Sequence, residues 1–149
     1  GVTAAGGRAI LIDPDQAVCR MARSNFRAMG YGSCAEVLEC EAQDVLPTLE
    51  TSVEMALLDA WSPKREPDPS HYGKGVYAPL TEALYGKLAE GGLLVAHNDY
   101  LPGVGDNGLA RPFLEPACRE LAAFHAFCER RFRRQRVVPT PDGIGVYLK

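Results

Sequence analysis

The chain has 149 residues, 46% apolar and 23% charged, enough for one domain over residues 1–149 with a substantial core. A formal charge of −3 gives no pull toward nucleic acid or an anionic membrane surface. There is no apolar run of about 18 residues and no basic-then-apolar leader, so neither a membrane span nor a signal peptide is expected. Cys19, Cys34, Cys40, Cys118 and Cys128 are odd in number and form no CxxC pair. That pattern speaks for reduced thiols in a cytoplasmic protein and against a disulfide frame or zinc site.

Residues 1–7 are small and carry no signal, after which residues 8–13 read as a buried strand ending in an acid. Asp13-Pro14-Asp15-Gln16 reads as a helix start, with Asp13 as N-cap, Pro14 at the first helical position and Gln16 closing a capping box. The helix is expected to reach about Met29, to bury Val18, Met21, Ala22, Phe26 and Met29, and to stop at Gly30. Residues 35–40 form a weaker strand, and residues 43–46 a single helical turn before Pro47. Met55-Ala56-Leu57-Leu58 followed by Asp59 predicts a short strand buried on both faces and ending in an acid.

Residues 62–70 hold three prolines and four charges and are expected to be a loop. Helical spacing returns over 76–90 and ends at Gly91 and Gly92. Residues 93–96 repeat the apolar design and lead into His97-Asn98-Asp99, then a glycine-rich loop over 102–108. Phe113, Leu114, Ala117, Cys118, Leu121, Phe124 and Cys128 form the stripe of one long helix. Residues 132–138 and 143–148, joined by Pro139-Thr140-Pro141-Asp142-Gly143, predict an antiparallel hairpin.

The succession is that of an α/β open sheet, parallel except at one edge. Ligands of such sheets bind at the carboxyl ends of the strands, where Asp59 and His97-Asn98 stand. Arg130, Arg131, Arg133, Arg134 and Arg136 suit a helix terminus and an edge strand, so no nucleic-acid partner is expected of them.

From Ala9 to Lys149 the chain resembles the class I S-adenosylmethionine-dependent O-methyltransferases of the catechol O-methyltransferase type. The residues that carry the resemblance are Ile12-Asp13-Pro14-Asp15, residues 41–47 (Glu41 to Pro47), Leu58-Asp59-Ala60-Trp61, residues 91–98 (Gly91 to Asn98) and Asp142-Gly143-Ile144-Gly145-Val146. The resemblance implies a Rossmann-like open sheet, mostly parallel with an antiparallel C-terminal hairpin, here lacking the usual first strand and its glycine-rich loop. It implies methyl transfer to a hydroxyl of a small, catechol-like molecule. A complementing N-terminal segment or a homo-oligomer is then expected to fill the gap left in the sheet, where unpaired backbone is costly, unless the two flanking strands have closed up directly.

Residue by residue, the resemblance places Asp13 on the cosubstrate ribose, in competition with its capping role, and Glu41, Ala42 and Gln43 on the adenine. Asp59, which the resemblance also places beside the cosubstrate, would form a metal site with His97 and Asn98. An acid is usual where His97 stands, so a preference shifted from Mg²⁺ toward Mn²⁺, Fe²⁺ or Zn²⁺ is expected, with Asp99 able to restore charge if the chain bends. Without metal, His97 is the candidate general base, and Lys64 is the other. Trp61, His71, Tyr72 and Tyr77 are candidates for the substrate wall. A spermidine synthase-like aminopropyltransferase, sharing the acid-ended strand at Asp13 and an Asp followed by a proline-bearing loop, and a truncated non-catalytic domain that pairs with another subunit are the alternative readings.

Overall fold

The structure, a computed structural model, describes residues 6–62, 72–100, 111–138 and 143–149. It groups the chain into two compact units, Gly1–Thr48 and Leu49–Lys149, each described by itself.

In the first unit, β1 (Ala9–Asp13) lies parallel to β2 (Ala35–Glu39), with Leu11 opposite Val37. Helix α1 (Gln16–Ala28) makes the crossover, and α2 (Ala42–Val45) and a 3₁₀ turn (Leu46–Thr48) follow β2. The N-cap of α1 is Asp15, not Asp13: Asp15 Oδ1 accepts from the amides of Ala17 at 2.6 Å and Val18 at 3.2 Å. Asp13 stays extended as the last residue of β1, so its side chain meets the turn and not the helix end. The buried line of α1 centres on Cys19, whose thiol reaches the carbonyl of Asp13. Val18, Ala22 and Phe26 are half-buried, while Met21 and Met29, expected inside, are 60% and 57% exposed.

The second unit is a four-stranded sheet in the order β3-β4-β6-β5. Strand β3 (Val53–Leu58) runs parallel to β4 (Leu88–His97); β6 (Ile144–Leu148) pairs antiparallel with both β4 and β5 (Arg134–Val138). This is the mostly parallel sheet with a closing antiparallel hairpin; the turn over 139–142 lies outside the described residues. Three features differ from expectation. Helix α3 (Tyr77–Tyr85) ends at Gly86, and residues 88–90 join β4, because Leu88 pairs with Val53 before a bulge at Gly91 (φ 77°) restores register. The expected long helix is two, α4 (Arg111–Glu120) and α5 (Ala122–Arg131), interrupted at Leu121, whose ψ of −5° departs from helical values. The third difference is burial: β3 is not covered on both faces, and Met55 and Leu57 are 59% and 68% exposed.

One sheet face carries the core. Leu58, Leu94, Ala96 and Tyr147 point to it and meet Tyr77, Leu80 and Leu84 of α3 and Phe124 and Cys128 of α5, all buried. Aromatic edges lock the layers, with Tyr77 against Phe124 at 5.5 Å and Phe124 against Tyr147 at 5.2 Å. Such rings contribute about 1.5–3 kcal/mol each by burial and somewhat more by their edge-to-face geometry. The period of two along β4 then puts Leu93, Val95 and His97 on the less covered face.

Candidate active site

Parallel register brings the carboxyl ends of β3 and β4 side by side: Leu58 pairs with Ala96, so Asp59 and His97 come next on neighbouring chains. His97 Nδ1 lies 2.8 Å from Asp59 Oδ1. An ionised carboxylate only accepts hydrogen bonds, so Nδ1 carries a proton, and in the neutral ring the lone pair is on Nε2. Both side chains are open to solvent, at 35% and 55% exposure.

The strand ends are tied together from below. The fully buried Tyr77 reaches with its hydroxyl to the carbonyls of His97 at 2.6 Å and Leu58 at 3.1 Å. Burial, then the Asp59 charge, pushes the Tyr77 phenol far above its ordinary range, so it remains a neutral donor. Tyr77 therefore holds the pair of strand ends at fixed separation and does not line a substrate wall; Trp61, by contrast, is 65% exposed.

Lys74, in the 3₁₀ turn Lys74–Val76 that precedes α3, enters the same cluster. Its ammonium donates to Tyr77 Oη at 2.9 Å and to the Ala60 carbonyl at 3.1 Å, and stands 3.6 Å from Asp59 Oδ1. Burial lowers the Lys74 pKa, while the Asp59 charge and hydrogen bond and the Glu120 charge oppose that shift. The turn is fastened by Glu120, whose carboxylate accepts from the Lys74 amide at 2.9 Å and fills the space a side chain at Gly73 (φ 56°) would need. Sequence reasoning passed over Lys74. The signal that could have found it is a lysine between two glycines just before a helix, in the segment following an acid-ended strand. Lys64 and His71 lie outside the described residues.

Asn98 leaves β4 in the left-handed region (φ 52°), which asparagine tolerates, and its Nδ2 donates to Tyr100 Oη at 3.2 Å. That reversal buries the next residue. Asp99 is 0% exposed, 2.5 Å from His125 Nε2 and 2.5 Å from the Tyr147 hydroxyl that donates to it. Its carboxylate fills the space beside Gly145 where any Cβ would collide. Asp99 is thus committed inward and does not make up charge beside His97.

These contacts bear on a divalent ion. The Asp59 oxygen is shared between an imidazole N–H and an ammonium, and a cation already occupies the neighbourhood. Asp59, His97 and Asn98, so arranged, do not fit a divalent metal, which needs an uncompensated negative site. Among the described residues no group of three or more His, Cys, Asp or Glu is placed to hold a metal ion.

In the first unit, Asp13 Oδ1 accepts from the Asp15 amide at 2.7 Å, leaving Oδ2 without a hydrogen-bond partner among the described residues. Glu41 precedes α2 but makes no side-chain cap, and Ala42 and Gln43 open that helix half-buried. An acid with an oxygen to spare at a strand end, and a second acid not consumed by its own helix, fit the hydroxyls and exocyclic amine of an adenosine group.

No family model matches the chain, and neither does any curated protein sequence. Solved structures do. The O-methyltransferase TomG from Streptomyces achromogenes, involved in tomaymycin synthesis and in complex with SAM, is 20% identical with a TM-score of 0.69, over 95% of this chain and 61% of that one. A putative caffeoyl-CoA O-methyltransferase from Staphylococcus aureus is 14% identical with a TM-score of 0.69, over 96% and 65%. An SAH-bound methyltransferase from Podospora anserina is 19% identical with a TM-score of 0.68, over 95% and 60%. The chain has the fold of class I SAM-dependent methyltransferases, and it spans about three fifths of the length of these structures.

Proposed function

We propose that the chain is the greater part of a SAM-dependent O-methyltransferase acting on a hydroxyl of a small, catechol-like aromatic molecule, its two units working as one domain. The observation that carries this reading is the Asp59–His97 hydrogen bond at the adjoining carboxyl ends of β3 and β4, where this fold places its chemistry. S-adenosylmethionine, when bound, supplies an electrophilic methyl group on a sulfonium. Asp13 holds the ribose hydroxyls, and Glu41, Ala42 and Gln43 border the adenine.

His97 is the general base. Asp59 fixes the ring and its tautomer and steadies the imidazolium that forms, so Nε2 takes the acceptor's proton. The acceptor oxygen bonds to the methyl carbon as the sulfur–carbon bond breaks, and His97 returns its proton to solvent. No step here is routed through a metal. The five cysteines, free in the structure, support a cytoplasmic setting. No helix among the described residues is long and apolar enough to cross a membrane. The exposed Met55 and Leu57 call for a cover, which we assign to a complementing N-terminal segment in preference to a homo-oligomer partner.

The test uses the protein at its full natural length. Calorimetry is expected to show SAM and SAH binding that weakens about 10–100-fold in Asp13→Ala. Radiolabelled methyl transfer to a panel of catechols and phenols is expected in the wild type and lost in His97→Gln with SAM binding retained. SAM binding without transfer to any hydroxyl in the panel would defeat the acceptor assignment, and no SAM binding at all would defeat the whole reading.

A further inference from the structure

Resting on that reading of the site, we propose that the Lys74 ammonium takes the place of a divalent metal: it is the fixed positive charge beside the acceptor oxygen, and it keeps metal ions out. The geometry is that of a built cation site whose cation is covalent. The side chain is only 12% exposed; its ammonium donates to Tyr77 Oη and the Ala60 carbonyl and forms an ion pair with the Asp59 carboxylate at 3.6 Å. Its backbone is held independently, by Glu120 through the Lys74 amide and by the tight seat at Gly73. A charge so fixed needs little reorganisation as negative charge develops on a neighbouring oxygen, the condition under which electrostatic stabilisation is most effective.

Charge counting leads to the same place. Asp59 and Lys74 neutralise one another at the strand ends, and the Glu120 carboxylate, the other charge acting on Lys74, is taken up by the Lys74 amide. A divalent cation coordinated by Asp59 would face an ammonium a few ångströms away, and would have to take Asp59 from both His97 and Lys74. Replacing a carboxylate by an imidazole beside Asn98 is then intelligible: a site with its own cation needs one acid fewer, and the position freed becomes a base. Proton acceptance falls to His97 and charge stabilisation to Lys74, two tasks on two side chains.

The experiment is a Mn²⁺ titration followed by electron paramagnetic resonance on the full-length wild type, Lys74→Met and Lys74→Arg, with turnover of catechol measured in EDTA alongside. The wild type and Lys74→Arg are expected to bind no Mn²⁺ at millimolar concentration, and wild-type turnover to be unchanged by EDTA. Lys74→Met is expected to bind Mn²⁺ about tenfold more tightly or better, through the released Asp59 and His97. Its kcat in EDTA is expected to fall about 10²-fold with KM little moved, and Lys74→Arg to recover part of that loss. Lys74→Gln serves if the methionine variant does not fold by circular dichroism. Micromolar Mn²⁺ binding by the wild type that disappears in Asp59→Asn, or equal Mn²⁺ affinity in wild type and Lys74→Met, would overturn the proposal. The resonance arm needs no acceptor, so it decides this point even if catechol is not methylated, whereas absent SAM binding would count against the methyltransferase reading alone.

Discussion

The second unit contains the same chemical pair twice, a carboxylate hydrogen-bonded to an imidazole, in opposite surroundings. Asp59 and His97 meet at 2.8 Å through Nδ1 with both side chains in contact with water. Asp99 and His125 meet at 2.5 Å through Nε2, with Asp99 wholly buried and His125 at 12% exposure. In water such a pair adds little to stability, and its imidazole is free to exchange protons with a ligand. In the core, each partner makes the other's burial tolerable, and neither reaches a substrate. Burial, not composition, separates the pair that a ligand can reach from the structural one.

The sharpest way to break the comparison is to remove one member of each pair. His97→Gln is expected to lower turnover by about 10²–10⁴-fold, while urea denaturation shows a stability change within about 0.5 kcal/mol. Asp99→Ala should do the reverse. It leaves His125 Nε2 and the Tyr147 hydroxyl unpaired in the core, and a loss of about 3–5 kcal/mol is expected in the same denaturation experiment, with turnover falling only as the folded fraction falls. Equal destabilisation by the two substitutions would mean that exposure does not divide their roles.

Tyr77→Phe lies between the two, since its hydroxyl is buried but serves the strand ends that carry the exposed pair. A loss of about 1–3 kcal/mol is expected from the carbonyls left short of a donor, accompanied by a drop in kcat as the Asp59–His97 spacing relaxes. A variant as stable as wild type would show that the clip is dispensable. Alkaline pH probes the buried side alone. Tyr77 and Tyr147 are both held neutral in the fold, each mainly by burial with help from a nearby carboxylate. Because their folded values lie above the unfolded one, their contribution is complete below about pH 10 and declines above it. The urea midpoint should therefore fall as pH rises above about 10, and Tyr147→Phe should shallow that fall; a flat midpoint would contradict it. The smallest change expected is a gain. Thr81 Oγ1 is buried on α3 without a partner among the described residues, so Thr81→Val should stabilise by about 1 kcal/mol in thermal melts.

Much of this could be read from the chain because it is local. The apolar runs before Asp13 and Asp59, the alternation through β6 and the turn residues around Gly143 each announce an element within a few positions. The sheet order follows once the elements are known. What escaped was decided by partners distant in sequence. Asp99 looks like a spare ligand next to His97, yet the left-handed Asn98 and the bare space beside Gly145 turn it inward. Lys74 sits past a proline-rich segment, and no spacing rule links it to Asp59. Asp13 and Asp15 are nearly interchangeable as caps on paper; only the extended end of β1 hands the role to Asp15. Met55 and Leu57 have the hydropathy of a core strand, but hydropathy does not say what lies opposite.

The bulge near the start of β4 bears on how this protein tolerates changes of length. Val53 pairs with Leu88 and Met55 with Leu93, so four residues stand against Glu54 alone and three of them are surplus to the ladder, looped out through Gly91 and fastened to Lys149 by two backbone hydrogen bonds. From Leu93 to His97 the strand is locked step for step to Leu148 through Ile144. A residue gained or lost among 89–91 changes the size of the loop and leaves the phase of the strand alone. One gained or lost between Leu93 and His97 would carry the imidazole to the opposite face of the sheet, away from Asp59. Insertions and deletions among kindred sequences should therefore gather at the bulge, at the end of β4 remote from the histidine, and be purged from the five-residue run 93–97 that ends on it.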